Sequence, residues 1–170
     1  MTTDFRIERA QVERLGDADL AWAAVEPLWD AVDLSDGWTE VSQVMARATR
    51  GQRALLAVDW CQKEVRNGGL VQFFQNSTGM LAREARDGFQ QIGADGLARV
   101  LTEALALSPA LASRSRVVRV AALTALFWLR WKLNRLDDKF LNLVANDALE
   151  PVRAAFVRAH PEEFFRDASA

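Results

Sequence analysis

The stretch EVRNGGLVQFFQNSTG, residues 64–79, sets two adjacent glycines between two helix-like segments and closes on a third glycine. Upstream, Leu55, Val58, Cys61 and Val65 recur at helical spacing, and TRGQ at residues 49–52 carries the capping-box pattern that begins a helix. Downstream, Leu70, Phe73 and Phe74 share one helical face. Asn67, Gly68 and Gly69 are the residue types that best tolerate a left-handed backbone, so the pair is expected to form a helix C-cap. The amides and hydroxyls that follow can satisfy the backbone groups such a break exposes. Asn67, Gln72 and Asn76 are therefore expected to hold the junction together.

Working outward, the segment LAWAAVEPLWDAV at residues 20–32 reads as a first helix capped by Asp17 or Asp19, with a kink at Pro27. LSDGW at 34–38 reads as a turn, and TEVSQVMARA at 39–48 as a short helix. On the other side, Ser77 or Thr78 is placed to cap MLAREARDGFQQI, residues 80–92, and Gly93 stands where its C-cap glycine belongs. A helix from Asp95 to Leu107 precedes Ser108 and Pro109. From Ser115 to Leu133 nearly every position is apolar except Arg116, Arg119, Thr124, Arg130 and Lys132, which predicts a central helix buried on most sides. Asp137 is placed to cap residues 138–145, Glu150 with Pro151 to start another helix, and PEEFF at 161–165 to close the chain.

Sustained strand alternation, internal repeats and linkers are absent from the sequence. A length of 170 residues, half of them hydrophobic, suits one core. The reading is all-α: a single compact domain over residues 1–170 of roughly eight helices around a central buried one. The N-terminus has mixed charges and no apolar core of a secretory signal, and the longest apolar run, residues 120–129, is too short to span a bilayer. A cytoplasmic protein without membrane contact is expected.

Chemistry is constrained by what the chain lacks. Its one histidine, His160, stands beside Pro161 at a predicted helix end, and its one cysteine, Cys61, falls on an apolar face. No metal-ligand spacing accompanies them, no phosphate-binding glycine loop follows a strand, and Asp137 and Asp138 point in different directions on a helix. No catalytic residue, metal or cofactor is expected, and the chain reads as a non-enzymatic interaction module. An enzyme or small-ligand binder using a polar cleft near Glu64, Asn67 and Gln72 is the alternative.

The charge distribution carries more. Between residues 17 and 40 the charged side chains are Asp17, Asp19, Glu26, Asp30, Asp33, Asp36 and Glu40, with no lysine or arginine among them. Arginines accumulate later, among them Arg114, Arg116 and Arg119 in SRSRVVR, so that the net charge is only −2. Three readings are open: carboxylates that pair with those arginines across the fold, an acidic face that attracts a basic partner, or arginines that track nucleic-acid phosphates. The acidic face is the candidate partner-binding site, and no direct nucleic-acid contact is expected.

The string at 64–79 also resembles the signature of the DNA-mimic protein family. Its elements here are Glu64, Val65, Asn67, Gly68, Gly69, Leu70, Gln72, Phe73, Phe74, Asn76, Ser77, Thr78 and Gly79, with Leu70 at a usually aromatic position. The likeness continues through residue 94, through LDDKF at 136–140 and into VRAHPEEFF, so that it covers roughly residues 50–165. The resemblance implies an all-helical, often dimeric fold without an established catalytic site. It also implies carboxylates presented in place of DNA phosphates to a DNA-binding protein partner. The acidic segment at 17–40 lies outside the signature, so no mimic residue is carried over by position.

Overall fold

The computed structural model describes residues 4–12, 14–146 and 149–167. Of the expected 1–170 unit, residues 1–3, 13, 147–148 and 168–170 lie outside the described residues. The fold is all-α and is organised around helix α4, Arg50–Gln75. Its start is the capping box read in the sequence: the Gln52 N–H donates to Thr49 Oγ1 at 3.1 Å and the Thr49 N–H to Gln52 Oε1 at 3.1 Å. Leu55, Leu56, Val58, Cys61, Leu70, Phe73 and Phe74 are completely buried along it. Burial pushes the Cys61 thiol well up.

The glycine pair divides α4 into two helical halves that meet at a kink. Gly68 is extended (φ −161°, ψ 24°) and Gly69 has φ +76° with ψ 179°, a conformation essentially confined to glycine. The helix thus breaks where the sequence expects it to and the chain re-enters helix from Leu70, although ψ 179° at Gly69 is not the left-handed helical conformation of a common glycine cap.

Before α4 come α1 (Asp17–Ala23), α2 (Glu26–Ala31) and α3 (Trp38–Met45). Pro27 lies in the first turn of α2 and separates it from α1. Gly16, not an aspartate, is the N-cap of α1; Asp17 and Asp19 sit in its first turn, where their charge favours the helix dipole. After α4, a 3-10 turn at Ser77–Leu81 leads to α5 (Ala82–Gln91). Neither Ser77 nor Thr78 caps α5, because that turn intervenes. Gly93 (φ +85°) closes α5 as expected, with the Ala94 N–H returning to Phe89 O at 2.8 Å. α6 spans Asp95–Leu107, and Ser108 caps the 3-10 turn Pro109–Ala112.

The apolar run at 115–133 is not the central helix. It breaks at Leu126 into α7 (Arg116–Ala125) and α8 (Phe127–Asn146), and much of it faces outward: Val117 is 78 % exposed, Phe127 82 % and Trp131 53 %. Only one stripe, including Arg119, Leu123, Leu129 and Leu133, turns inward. A nearly continuous apolar run carries no periodicity, so composition alone cannot say which face is covered. α9 (Leu149–Ala159) packs against α1, and α10 (Pro161–Phe164) against α4. Residues Ile7–Glu8 and Phe165–Arg166 form a two-residue parallel pairing, too short to leave an alternation in the sequence. Among the described residues no helix is long and apolar enough to cross a membrane.

Candidate interaction surface

Residues 17–40 are held on α4 by aromatic rings. Trp29 stacks on Trp60 of α4 with centroids 3.8 Å apart, and Trp22 meets Trp29 edge-on at 5.5 Å. The Lys63 ammonium lies 3.8 Å from the Trp29 centroid and is ion-paired with Asp59 at 3.0 Å. The Arg114 guanidinium covers Trp38 at 3.6 Å while both its terminal nitrogens bond Glu84 at 2.6 Å. Val25, Leu28, Val32, Leu34, Val41 and Met45 are buried beneath.

With the apolar side so fixed, the carboxylates face out. Asp19, Glu26, Asp30, Asp33, Asp36 and Glu40 are exposed, and Asp17 is half-buried. Asp17 pairs with Arg158 at 2.7 Å. Glu26 accepts from the Trp22 indole N–H at 3.2 Å. Asp33 accepts from the Ser35 hydroxyl and N–H, which together hold its carboxyl below the usual range. The arginines that could have neutralised this face are engaged elsewhere. Arg116 donates to Gln75 O at 2.7 Å, and Arg53 to Ala48 O at 2.7 Å.

Arg119 is wholly buried. Its guanidinium donates to Phe74 O (2.9 Å), Asn76 O (2.7 Å), Ser113 O (2.7 Å) and Arg114 O (3.0 Å). It thus collects the carbonyls left open where α4 ends. Burial, with the positive Arg116 and Arg114 nearby, lowers its pKa to about 10, so it remains charged at neutral pH. SRSRVVR therefore reads main-chain oxygens of its own fold, a role that its phosphate-like spacing did not reveal. A Cβ at Gly79 would come within 2.7 Å of Arg119 Nε and of Phe73 O, which explains the closing glycine of the signature.

At the kink the polar side chains divide their work differently from the sequence expectation. The Glu64 carboxylate accepts from Gln72 Nε2 (2.7 Å), Asn76 Nδ2 (2.9 Å) and Thr78 Oγ1 (3.0 Å), joining the two halves of α4 across the glycines. The amides thus serve a carboxylate and not the main chain. Asn67 is exposed and makes no side-chain hydrogen bond among the described residues, so it does not hold the junction; its place is taken by Asp137. Asp137 caps the renewed helix from a distance: its Oδ1 accepts the Leu70 N–H at 2.7 Å, whereas the sequence placed it as the cap of residues 138–145. Phe73 and Phe74 fill the core, and Ser77 lines a cleft of about 540 Å³ between Asp30, Asp33, Trp60, Glu64 and Asn76.

Burial raises the Asp137 carboxyl pKa, and Asp138 adds to this, while the bond from Leu70 opposes it. A raised folded-state value means that stability from this group is fullest while it is protonated and falls as pH rises through the range above the ordinary carboxylate value. Asp137→Asn keeps the acceptor, so its stability relative to wild type should improve as pH rises through that window. Asp137→Ala should cost about 1–2 kcal/mol by leaving the Leu70 N–H without a partner. Urea unfolding of the three proteins across a pH series measures both effects.

No curated protein and no solved structure matches the chain. The family described as DMP19-like protein matches residues 46–160, from the entry into α4 to the end of α9, and leaves the acidic segment outside. That match covers more than half of the chain and contains Glu64, the glycine kink, Gly79, Arg119 and Asp137 together, so the chain belongs to the DMP19-like protein family, the DNA-mimic family that its signature resembles.

Proposed function

We propose that this chain is a non-enzymatic module that binds a basic, DNA-binding protein by presenting the carboxylates of residues 17–40 in place of phosphates. The observation that carries this reading is that Asp19, Glu26, Asp30, Asp33, Asp36 and Glu40 are exposed on one segment without an arginine or lysine ion-paired to them among the described residues. Unneutralised carboxylates side by side create a negative potential that steers a cationic surface and strengthens its docking. The modest net charge of −2 is compatible with this, because the compensating cations lie on other elements. The aromatic stack on Trp60 gives the carboxylates a rigid base, so little ordering cost falls on binding.

Proteins of the source cell held on immobilised DNA provide the test. The wild-type chain should release a DNA-binding protein from the column and bind it directly once purified. A variant with Asp30→Asn, Asp36→Asn and Glu40→Gln should bind that protein about tenfold more weakly and with a flatter dependence on salt. Asp33 is left intact because it holds the Ser35 turn. Equal affinity of variant and wild type would remove the acidic segment from the proposal.

A further inference from the structure

A second surface, on elements remote in sequence from the acidic segment, is basic and aromatic. Residues 104–136 contain no aspartate or glutamate, and their cations are Arg114, Arg116, Arg119, Arg130, Lys132 and Arg135. The first three bond main-chain oxygens of the fold. Arg130, Lys132 and Arg135 are exposed and not ion-paired among the described residues. At 3.6 residues per turn, Arg130 and Lys132 flank a sector of roughly 100° on the first half of α8 that holds Phe127, Trp128 and Trp131, and Arg135 follows one turn after Trp131. All three rings are exposed, Phe127 most of all, and across the break α7 adds Val117 and Val118. Large apolar groups left in water on one sector mark a surface that meets something else.

We propose that this sector docks on the surface of a bilayer rich in anionic lipids, with Phe127, Trp128 and Trp131 entering the headgroup layer and Arg130, Lys132 and Arg135 meeting lipid phosphates. Charge complementarity carries the choice of partner. Aromatic rings settle at the boundary between headgroups and acyl chains, and each cation held near a negative leaflet strengthens binding about fivefold. Lys132 and Arg135 also line a groove of about 490 Å³ with Leu107 and Leu136, so a lipid phosphate seated there finds cations, and its first methylenes find apolar side chains. Glu103, the carboxylate in that groove, is tied to Lys139 at 2.9 Å. The exposed Asp138, beyond Arg135, marks the edge of the patch. No described helix is long and apolar enough to cross a membrane, and one lying along the surface needs no such length. Other occupants fit less well. Bases stack on open ring faces, and the Trp131 ring already carries the Arg135 guanidinium at 4.9 Å and the Lys132 ammonium at 5.4 Å. A protein partner would need a pocket matched to the protruding Phe127, whereas a fluid interface accepts it without one. This surface is not the one used in the proposed function, and either can fail alone.

Co-sedimentation of the full chain with lipid vesicles tests it. Wild type should bind vesicles of phosphatidylcholine carrying about a third phosphatidylserine more than about tenfold tighter than vesicles of phosphatidylcholine alone, and added salt should weaken the binding. Arg130→Gln, Lys132→Gln and Arg135→Gln together should weaken it on the order of a hundredfold. Phe127→Ser with Trp131→Ser should weaken it about tenfold, while circular dichroism confirms that changes at these exposed positions leave the fold intact. The variant with Asp30→Asn, Asp36→Asn and Glu40→Gln should bind the anionic vesicles no less tightly than wild type, which separates this surface from the acidic one. The proposal is overturned by no binding to the anionic vesicles, by equal binding to both compositions, by indifference to the α8 changes, or by loss of binding in the acidic-segment variant. Tighter binding of single-stranded DNA through the same residues, or a stable dimer that Phe127→Ser with Trp131→Ser dissolves, would overturn it as well.

Discussion

Replacing Arg119 by methionine should lower the unfolding free energy by about 3–4 kcal/mol, the largest effect expected of any side chain described above. The guanidinium satisfies four main-chain carbonyls from two separate parts of the chain, the end of α4 and the turn before α7. A buried acceptor left unmade costs roughly 1–3 kcal/mol, and the relief of no longer burying a charge offsets part of the sum. For a chain of this size the loss corresponds to a fall in Tm of roughly 10 °C. Arg119→Lys keeps the charge but not the planar spread of donors, so it should recover less than half of the loss. Arg116→Met, which removes a single exposed bond to Gln75 O, should cost under about 1 kcal/mol. Thermal and urea unfolding of the three variants decide the matter: equal, small losses would mean that water replaces Arg119 without penalty.

Arg119 also shows where sequence reading stops. The helical class, the Thr49–Gln52 capping box, the glycine closing α5 and the bounds of α6 were all legible, because each depends on neighbours in the chain. The clustering of carboxylates at 17–40 was legible for the same reason, while whether they pair across the fold or face outward was not. What could not be read was pairing across the fold. Asp137 and Leu70 are 67 positions apart, and Arg119 and Phe74 are 45. Asn67 is a residue suited to a junction, yet it makes no side-chain hydrogen bond among the described residues: Asp137, from α8, accepts the Leu70 N–H, and Glu64 gathers the Gln72 and Asn76 amides. Likewise the run at 115–133 announces burial in its composition, while the outward turn of Phe127 and Trp131 depends on which neighbours are present.

The acidic segment and the glycine kink are linked through α4, on which Trp29 stacks at Trp60. Trp60 and Lys63, on which Trp29 rests, stand before the glycines; Asn76 and the carbonyls gripped by Arg119 stand after them. The cleft between Asp30 and Asn76 therefore spans the kink, and the angle between the two halves of α4 sets its width. Glu64 fixes that angle from one side, through Gln72 and Asn76, and Asp137 from the other, through Leu70.

Gly69→Ala should accordingly cost about 2–4 kcal/mol, the second large effect. Two causes add. With φ +76° and ψ 179°, an alanine would occupy a region essentially closed to side chains, at a cost of roughly 1–3 kcal/mol. Its Cβ would also collide with the Asp137 carboxylate, forcing that group off the Leu70 N–H and removing the cap of the second half of α4, for about 1 kcal/mol more. Gly68→Ala provides the contrast. Gly68 is extended at φ −161°, and the three atoms nearest the added Cβ all belong to the Gln72 side chain, whose amide can rotate away at the loss of one bond to Glu64. It should cost about 1 kcal/mol. Amide hydrogen exchange locates the damage: Gly69→Ala should speed exchange at Leu70 and the turn after it, leaving Leu55 to Cys61 protected. Equal losses for the two glycines would mean that the kink tolerates side chains and that its backbone conformation is not what joins the halves of α4.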